Sequence, residues 1–337
     1  MEIPCILREL MFIIKGINYF MKRITLLTAA IMLLFATGKK ASAQYYFYDG
    51  GSFNSPLMFE FGGSVGIMNC LTDLGGKKGL GKKMAGDLNL GNNHLNGSVY
   101  FMATYKEAVA LRLEGTWGSI SAYDSILVNE KATTNGRYER NLNFRSKISE
   151  VALIAEFHPL FMFINWSLRD DKDPPRISPY LAVGIGYFSF NPQAKSRTGQ
   201  YADLQPLSTE GQGFTEYPER KTYKLSQTNV PIGIGIRYEL SSSFNLRAEL
   251  LHRTLFTDYL DDVSTNYINN DVFQNYYSGQ QLQDAIDLAS NQRTNNGPMS
   301  SIFRKSENGI RGNPKNKDSY FTFNIKIGLT LGRESKK

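Results

Sequence analysis

The sequence has little cysteine, no long hydrophobic run and only a small excess of positive charge. Two cysteines, Cys5 and Cys70, among 337 residues are too few for a disulfide framework or a cysteine-based metal site. No apolar run reaches the roughly 18 residues of a spanning helix, which excludes a multi-helix membrane protein. Much of the net charge of +7 falls on residues 1–43, and the rest of the chain holds 32 basic and 29 acidic residues. That balance argues against nucleic acid as a partner.

The first 43 residues have the pattern of an export signal. Lys22 and Arg23 precede a mostly apolar stretch over 24–37, and Ala41-Ser42-Ala43 has the A-x-A form of a cleavage site. A membrane anchor helix is the alternative, although the apolar run is short for it. We interpret the segments as follows: 1–20 an upstream extension before the true initiator Met21, 21–43 a signal peptide, 44–56 an N-terminal periplasmic segment, and 332–337 a C-terminal tail.

The remaining chain is rich in apolar/polar alternation with a period of two. From Tyr320 to Leu331 every second residue is apolar, and the residues between are mainly polar or glycine. This period places alternate side chains on opposite faces of a strand. Twelve residues are long for a strand of a globular protein but suit a tilted strand that crosses a bilayer. Eight such segments occur: 58–69, 96–105, 109–117, 147–158, 180–190, 230–240, 244–256 and 320–331.

The connections between these segments alternate in length. Those at 70–93, 121–144, 191–226 and 257–317 are long, whereas those at 106–108, 159–176 and 241–243 are shorter. This asymmetry is typical of outer-membrane barrels, which have long extracellular loops and short periplasmic turns. We therefore predict an all-β fold over 57–331: an eight-stranded antiparallel transmembrane β-barrel with four long extracellular loops. It would lie in the outer membrane of a Gram-negative cell, in contact with lipid and lipopolysaccharide, with both termini in the periplasm.

The inward faces of the predicted strands carry charges of both signs in near-equal number. A barrel of eight strands has room inside only for side chains, and unpaired charges there are costly. We predict a lumen filled by ion pairs, with Gly184, Gly186, Gly233 and Gly235 making room for long arginines; a conduction pathway or proton relay is the alternative. The predicted network comprises Glu60, Arg112, Glu114, Glu150, Glu156, Arg237, Glu239, Arg247, Glu249, Arg253 and Lys326.

The sequence predicts no catalytic residue, no metal site and no cofactor. The three histidines, His94, His158 and His252, fall far apart in this topology. His252 with Thr254 is a weak candidate for a lipid-modifying enzyme, which an altered lipid A profile in a His252→Ala variant would reveal. The basic run 76–83 lacks the Ser/Thr of a phosphate-binding loop and fits a surface loop able to touch lipopolysaccharide phosphates.

Two connections have features of interaction surfaces. The last long loop contains the segment 280–290, which we expect to be a short helix, and its three aspartates Asp258, Asp261 and Asp262 are too irregular for a calcium loop. The turn 161–176 is the longest on the predicted periplasmic side and is stiffened by two prolines. We predict that it is either a solvated turn or a docking site for a periplasmic partner, formed by Trp166, Arg169, Asp170, Asp171, Lys172 and Asp173.

Two stretches resemble a known family. The segment EVALIAEFHPL at 150–160 and the segment SPYLAVGIGYFSFNPQA at 178–194 are similar to the outer-membrane barrel family that includes PorG of the type IX secretion apparatus. The resemblance implies an eight-stranded barrel, a link to periplasmic ring proteins such as PorK and PorN, and no catalysis. The leading hypothesis is therefore a non-enzymatic structural or accessory barrel. The main alternative is a surface adhesin or ligand-binding barrel that acts through the loops 191–226 and 257–317.

Overall fold

The computed structural model describes residues 56–75, 90–127, 137–164, 175–196, 199–241, 243–291 and 309–331. All of them belong to one compact unit, Tyr48–Lys337. The predicted segments 1–20, 21–43 and 332–337 lie outside the described residues, as does 44–56 apart from Pro56.

Eight long antiparallel strands close into a barrel, as the period-two pattern predicts. The barrel strands are β1 Leu57–Leu71, β2 His94–Tyr105, β3 Val109–Tyr123, β4 Asn143–Phe157, β5 Ile177–Ser189, β8 Ser226–Glu239, β9 Phe244–Leu255 and β10 Ser319–Leu331. Their order is β3-β2-β1-β10-β9-β8-β5-β4, and pairing of β4 with β3 closes the sheet. A short hairpin, β6 Gln193–Lys195 and β7 Tyr201–Asp203, extends the sheet from β4.

Several strands are longer than the sequence predicts, mainly toward the long connections. β3 continues to Tyr123 instead of Trp117, and β4 begins at Asn143 instead of Lys147. The backbone stays paired there, with Ser119 opposite Lys147 and Ser121 opposite Arg145. The outward residues of this part are polar, so the apolar/polar alternation ends before the strand does. The barrel therefore extends beyond its apolar zone at this end.

The outer face of the barrel is an apolar belt. On β5 the outward side chains from Ile177 to Tyr187 are exposed and apolar, while the residues between them are mostly buried. Ten steps of about 3.3 Å at a tilt of about 40° give a height of about 25 Å, the height of the apolar band of a membrane barrel. The belt includes Leu111, Leu113, Trp117, Val151, Leu153, Ile185, Ile234, Ile236, Ile325 and Ile327.

Among the described residues, three short α-helices lie in the connections. They are α1 Arg137–Arg140, α2 Pro159–Met162 and α3 Gly279–Ala289, and α3 confirms the helix predicted at 280–290. None of the described helices is long and apolar enough to span a bilayer. The short turn between β2 and β3 requires left-handed backbone at Lys106 and Glu107, with φ of 48° and 59°.

The long connections fold over one end of the barrel. We call residues 190–196, 199–225, 256–291 and 309–318 the cap. Its apolar side chains share one core with the upper lumen, in which the Phe188 ring lies 5.4 Å from Phe190 and 5.8 Å from Tyr320. The rings of Phe190, Tyr223 and Tyr259 continue this stack into the cap. The last long connection is thus largely ordered over 256–291, and it closes the mouth of the barrel.

Candidate functional site: an ionic lumen beneath a folded cap

The centre of the lumen is a network of buried ion pairs around Arg112. Its guanidinium lies 2.5 Å from Glu156 and 2.7 Å from Glu249. Its Nε lies 2.9 Å from Glu114, which in turn lies 2.6 Å from the ammonium group of Lys326. These residues come from four strands and are almost wholly buried, so the network ties opposite walls of the barrel together.

Arg247 extends the network to the opposite wall. Its guanidinium lies 3.0 Å from Glu60 on β1 and 2.8 Å from Glu156 on β4. Glu60 also accepts hydrogen bonds of 2.7 Å from the hydroxyl of Tyr100 and from the amide of Asn245. Each carboxylate oxygen of Glu60 thus accepts one hydrogen bond from the guanidinium and one from a neutral donor, which is what a buried charge requires.

Two further ion pairs lie above and below the centre. Near the cap, Arg253 lies 3.0 Å from Glu150. At the other end, Arg237 lies 2.5 Å from Glu107, which belongs to the left-handed turn between β2 and β3. The Arg237 guanidinium also lies 5.4 Å from the ring of Phe161 on α2. Charged side chains therefore occupy the lumen from the cap to the turns.

The structure places all eleven side chains of the predicted network inside the barrel and buries each of them. Sequence analysis missed several of their partners. Glu107 lies in a turn, where the apolar/polar alternation does not predict which way a side chain points. The tyrosines Tyr100, Tyr180 and Tyr320, by contrast, occupy inward positions of their strands. Tyr180 donates a hydrogen bond of 3.0 Å to Glu249, and its inward position in the alternation was the signal that could have found it.

The role predicted for the inward glycines is wrong. They make room for aromatic, aliphatic and other wall side chains instead of arginines. A Cβ on Gly235 would lie 2.2 Å from Cζ of Tyr180, and one on Gly233 would lie 2.7 Å from Cδ2 of Leu251. A Cβ on Gly184 would meet Ile154, and one on Gly186 would meet Asn229 and Glu150. The arginines extend across the bore, whereas the Tyr180 ring lies against the wall and needs a residue without a side chain beneath it.

His158 forms the only buried histidine contact with a serine among the described residues. Its Nδ1 lies 2.9 Å from Oγ of Ser178, and its Nε2 lies 3.5 Å from Glu156. This order of groups is that of a catalytic relay, but His158 and Ser178 are fully buried at the turn end of the barrel. Glu156 is also shared by two arginines, so the arrangement fits a structural plug.

The cap carries its own charge network. Arg311 lies 2.9 Å from Glu210 and donates a 2.6 Å hydrogen bond to the carbonyl of Asp262. Asp262 accepts hydrogen bonds from Thr209 and Tyr223. Burial nevertheless raises the pKa of Asp262 to about 6. Arg140 on α1 pairs with Asp124 at 2.8 Å and donates to the carbonyl of Arg311, which fixes the cap to the end of β3.

Other aspartates approach one another where the cap meets the barrel. Burial raises the pKa of Asp258 to about 7 and raises the pKa values of Asp261 and Asp318, with their mutual repulsion and Asp73 adding to the effect. Asp261 accepts from the backbone N–H of Leu74, and Asp318 accepts from that of Leu260. Among the described residues no group of three such side chains is placed to hold a metal ion.

Of the remaining sequence candidates, the structure describes the two histidines His94 and His252 and Thr254. His252 and Thr254 lie on the outer face of β9, and His94 starts β2, where its Nε2 lies 2.7 Å from Oγ of Ser121. The basic run 76–83 lies outside the described residues. So does the predicted docking turn with Trp166, Arg169, Asp170, Asp171, Lys172 and Asp173.

The fold resembles solved outer-membrane proteins, although neither a family model nor a curated protein matches the sequence. A major outer membrane protein from Thermus thermophilus is 12% identical with a TM-score of 0.36, covering 82% of this chain and 99% of that chain. Ail, the attachment invasion locus protein of Yersinia pestis, is 9% identical with a TM-score of 0.31, covering 82% and 97%. Outer membrane protein W of E. coli is 11% identical with a TM-score of 0.30, covering 81% and 97%. Such values carry no functional argument, and the fold rests on the strand pairing of this chain.

Proposed function

We propose that this chain is a non-conducting, non-enzymatic barrel of the outer membrane that serves as a scaffold in the cell envelope. The observation that carries the proposal is the buried ion-pair network around Arg112 and Arg247, which fills the bore and joins its walls. A channel would need a continuous water-filled path, whereas these side chains are almost wholly buried.

The outer face supports the membrane placement. A soluble protein rarely exposes so large a continuous apolar surface, and its height of about 25 Å fits the hydrocarbon core. In a bilayer every backbone polar group must be paired, which a closed barrel achieves. The folded cap fits the extracellular side, and the short turns, with both chain ends, fit the periplasm.

The finer proposal is an accessory role in a type IX secretion-like complex with periplasmic ring proteins. The sequence resemblance of 150–160 and 178–194 supports it. So does Phe163, which lies in the turn 161–176 just before Trp166 and is 82% exposed. An exposed phenylalanine beside such a turn fits a contact with a partner.

Co-purification from native outer membrane tests this finer role. We expect periplasmic ring proteins to co-purify with the tagged full chain and to be lost from a Phe163→Ser variant. A Leu240→Ser variant, changed at the neighbouring short turn, should retain them. Absence of ring proteins from the wild-type sample would remove the secretion role but not the scaffold.

Conductance in planar bilayers tests the scaffold itself. The refolded full chain should give no stable open level above the background of protein-free membranes. A reproducible ohmic conductance would contradict the proposal, since it would require a continuous path through the lumen.

The folded cap favours a second candidate, a ligand-binding barrel that acts at the cell surface. The exposed ring of Tyr276 stacks on Phe214 at 3.9 Å, and its hydroxyl donates a 2.7 Å hydrogen bond to Glu216. Shortening the loops 191–226 and 257–317 should abolish adhesion to host or matrix ligands while leaving co-purification with periplasmic proteins intact.

A further inference from the structure

A cavity lined by both polar and apolar side chains lies at the outer wall of the barrel. It has a volume of about 400 Å³ and lies where β3 and β4 meet the hairpin β6–β7. Its lining includes Tyr123, Asn141, Asn143, Arg145, Lys195 and Tyr201. Its volume falls within the range of small-molecule sites.

Basic side chains line this cavity and give it a positive charge. Arg145 and Lys195 line it, and Lys147 is the next outward residue of β4; all three are exposed. The Arg145 guanidinium stacks on Tyr201 at 3.3 Å from the ring centroid, and its Nε donates a 3.2 Å hydrogen bond to Gln193. Stacking fixes the plane of the guanidinium and leaves its two terminal nitrogens available, which is the geometry that binds phosphate oxygens in pairs.

The nearby carboxylate of Asp203 is bound by two side-chain amides. Its carboxylate accepts hydrogen bonds of 3.0 Å from the amide of Asn191 and 2.7 Å from that of Gln193. Gln193 thus lies between Asp203 and Arg145, and no ion pair joins the two among the described residues. The cavity therefore keeps an unbalanced positive charge.

The cavity lies at the height of lipid headgroups. Along β4 the outward residues run from Val151 in the apolar belt through Ser149 and Lys147 to Arg145. At about 3.3 Å per residue and a tilt of about 40°, Lys147 lies about 5 Å and Arg145 about 10 Å beyond the position of Ser149, just above the belt. The polar layer of a bilayer begins there.

We propose that this cavity binds the phosphorylated sugar headgroup of an outer-leaflet glycolipid. Arg145 and Lys195 would bind the phosphate. The amide nitrogen of Asn143, whose Oδ1 accepts a 2.9 Å hydrogen bond from the backbone N–H of Lys195, would meet a sugar hydroxyl. The exposed rings of Tyr123 and Tyr201 offer apolar faces to the C–H groups of a sugar. The assignment of a lipid source rests on the outer-membrane orientation proposed above.

Native mass spectrometry of the full chain in uncharged detergent tests the site. The probes are diphosphorylated lipid A, the same lipid A after dephosphorylation, and glucose 1-phosphate. We expect lipid A to bind, and we expect an Arg145→Gln/Lys195→Gln variant to bind it at least tenfold more weakly. The affinity of the wild type should fall with added salt because charge carries the contact.

A matched variant and a rescue separate this site from general charge attraction. Lys224→Gln/Lys315→Gln removes two exposed bases of the cap and should bind within twofold of wild type. Arg145→Lys/Lys195→Arg should restore most of the binding. Each variant is first shown to be folded by its heat-modifiable migration on a gel; if the double Gln variant is not folded, Lys195→Gln alone is used, with a smaller expected loss.

Three results would overturn the proposal. They are equal binding by the double Gln variant, equal binding of dephosphorylated lipid A, and full competition by glucose 1-phosphate at the concentration of the lipid. The last would indicate a soluble phosphosugar. Fractionation of wild-type cells checks the outer-membrane location separately, so failure of the headgroup site and failure of the membrane placement are distinguishable.

Discussion

At the scale of residues, glycine and tyrosine act as pairs in the barrel wall. The Tyr180 ring lies over Gly235 and the Tyr100 ring lies over Gly62, where an added Cβ would come within 2.6 Å of the ring; a Cβ on Gly328 would meet the Tyr100 hydroxyl and the Glu60 carboxylate. A side chain at these glycines must displace a buried ring that also donates a hydrogen bond to a lumen carboxylate. The glycines thus determine where the tyrosine hydroxyls point.

A Gly235→Ala substitution should destabilise the barrel because its Cβ overlaps Tyr180. We expect a loss of about 1–3 kcal/mol in the free energy of unfolding, measured by urea titration in detergent. Gly63→Ala is the control, since its Cβ would meet nothing closer than 3.4 Å. An equal loss of unfolding free energy in both variants would show that backbone effects, and not overlap with the Tyr180 ring, are why position 235 is glycine.

Removal of Arg247 should be costly because it leaves Glu60 and Glu156 with fewer partners. We expect Arg247→Gln to lower the free energy of unfolding by about 3–5 kcal/mol. Adding Glu60→Gln to this variant should recover part of the loss, since the unpaired charge is then gone. A double variant whose loss equals the sum of the two single losses would contradict the ion pair.

At the scale of elements, the sequence predicts strands well and the cap poorly. Alternation located all eight barrel strands, from 58–69 to 320–331, because a buried inner face and an apolar outer face impose a period of two. It failed at Ser119 and Lys147, where the strands continue beyond the apolar belt and the outward side chains become polar. The cap follows no period: its contacts, such as Arg140 with Asp124 and Arg311 with Glu210, depend on how separate loops pack together.

The cap should loosen as pH rises. Asp258, whose pKa is about 7 in the folded protein, binds its proton more tightly there than in an unfolded chain, and burial shifts the pKa values of Asp261 and Asp318 in the same direction. Groups with a raised pKa stabilise the folded state at low pH, and that stabilisation is lost as pH rises through the folded pKa.

Hydrogen exchange at residues 257–264, corrected for intrinsic rates, measures this effect. Protection should be higher at pH 5 than at pH 8, with faster exchange by severalfold at the higher pH. Asp258→Asn cannot ionise and should reduce the difference. Exchange that is independent of pH in the wild type, or a difference unchanged in the variant, would contradict this role of Asp258.

At the scale of the whole molecule, the two faces of the barrel sheet are stabilised by different interactions. The outer face is apolar, and ion pairs with tyrosine and asparagine donors fill the inner one. The sequence indicates this division at Arg247 and Glu249, which alternate with Leu246, Ala248 and Leu250 along β9. The partner of each charge depends on register and shear between strands, which alternation alone does not determine.

The most direct test of the central claim is spin-label accessibility in lipid bilayers. After Cys5→Ser and Cys70→Ser, labels are placed singly at Leu113, Val151, Ile234 and Ile327, four outward residues from different strands. We expect high accessibility to oxygen and low accessibility to a water-soluble nickel complex at all four sites, with the reverse at Lys315 on the cap. Nickel accessibility at the four belt sites equal to that at Lys315 would show that this face meets water, and the membrane barrel would be wrong.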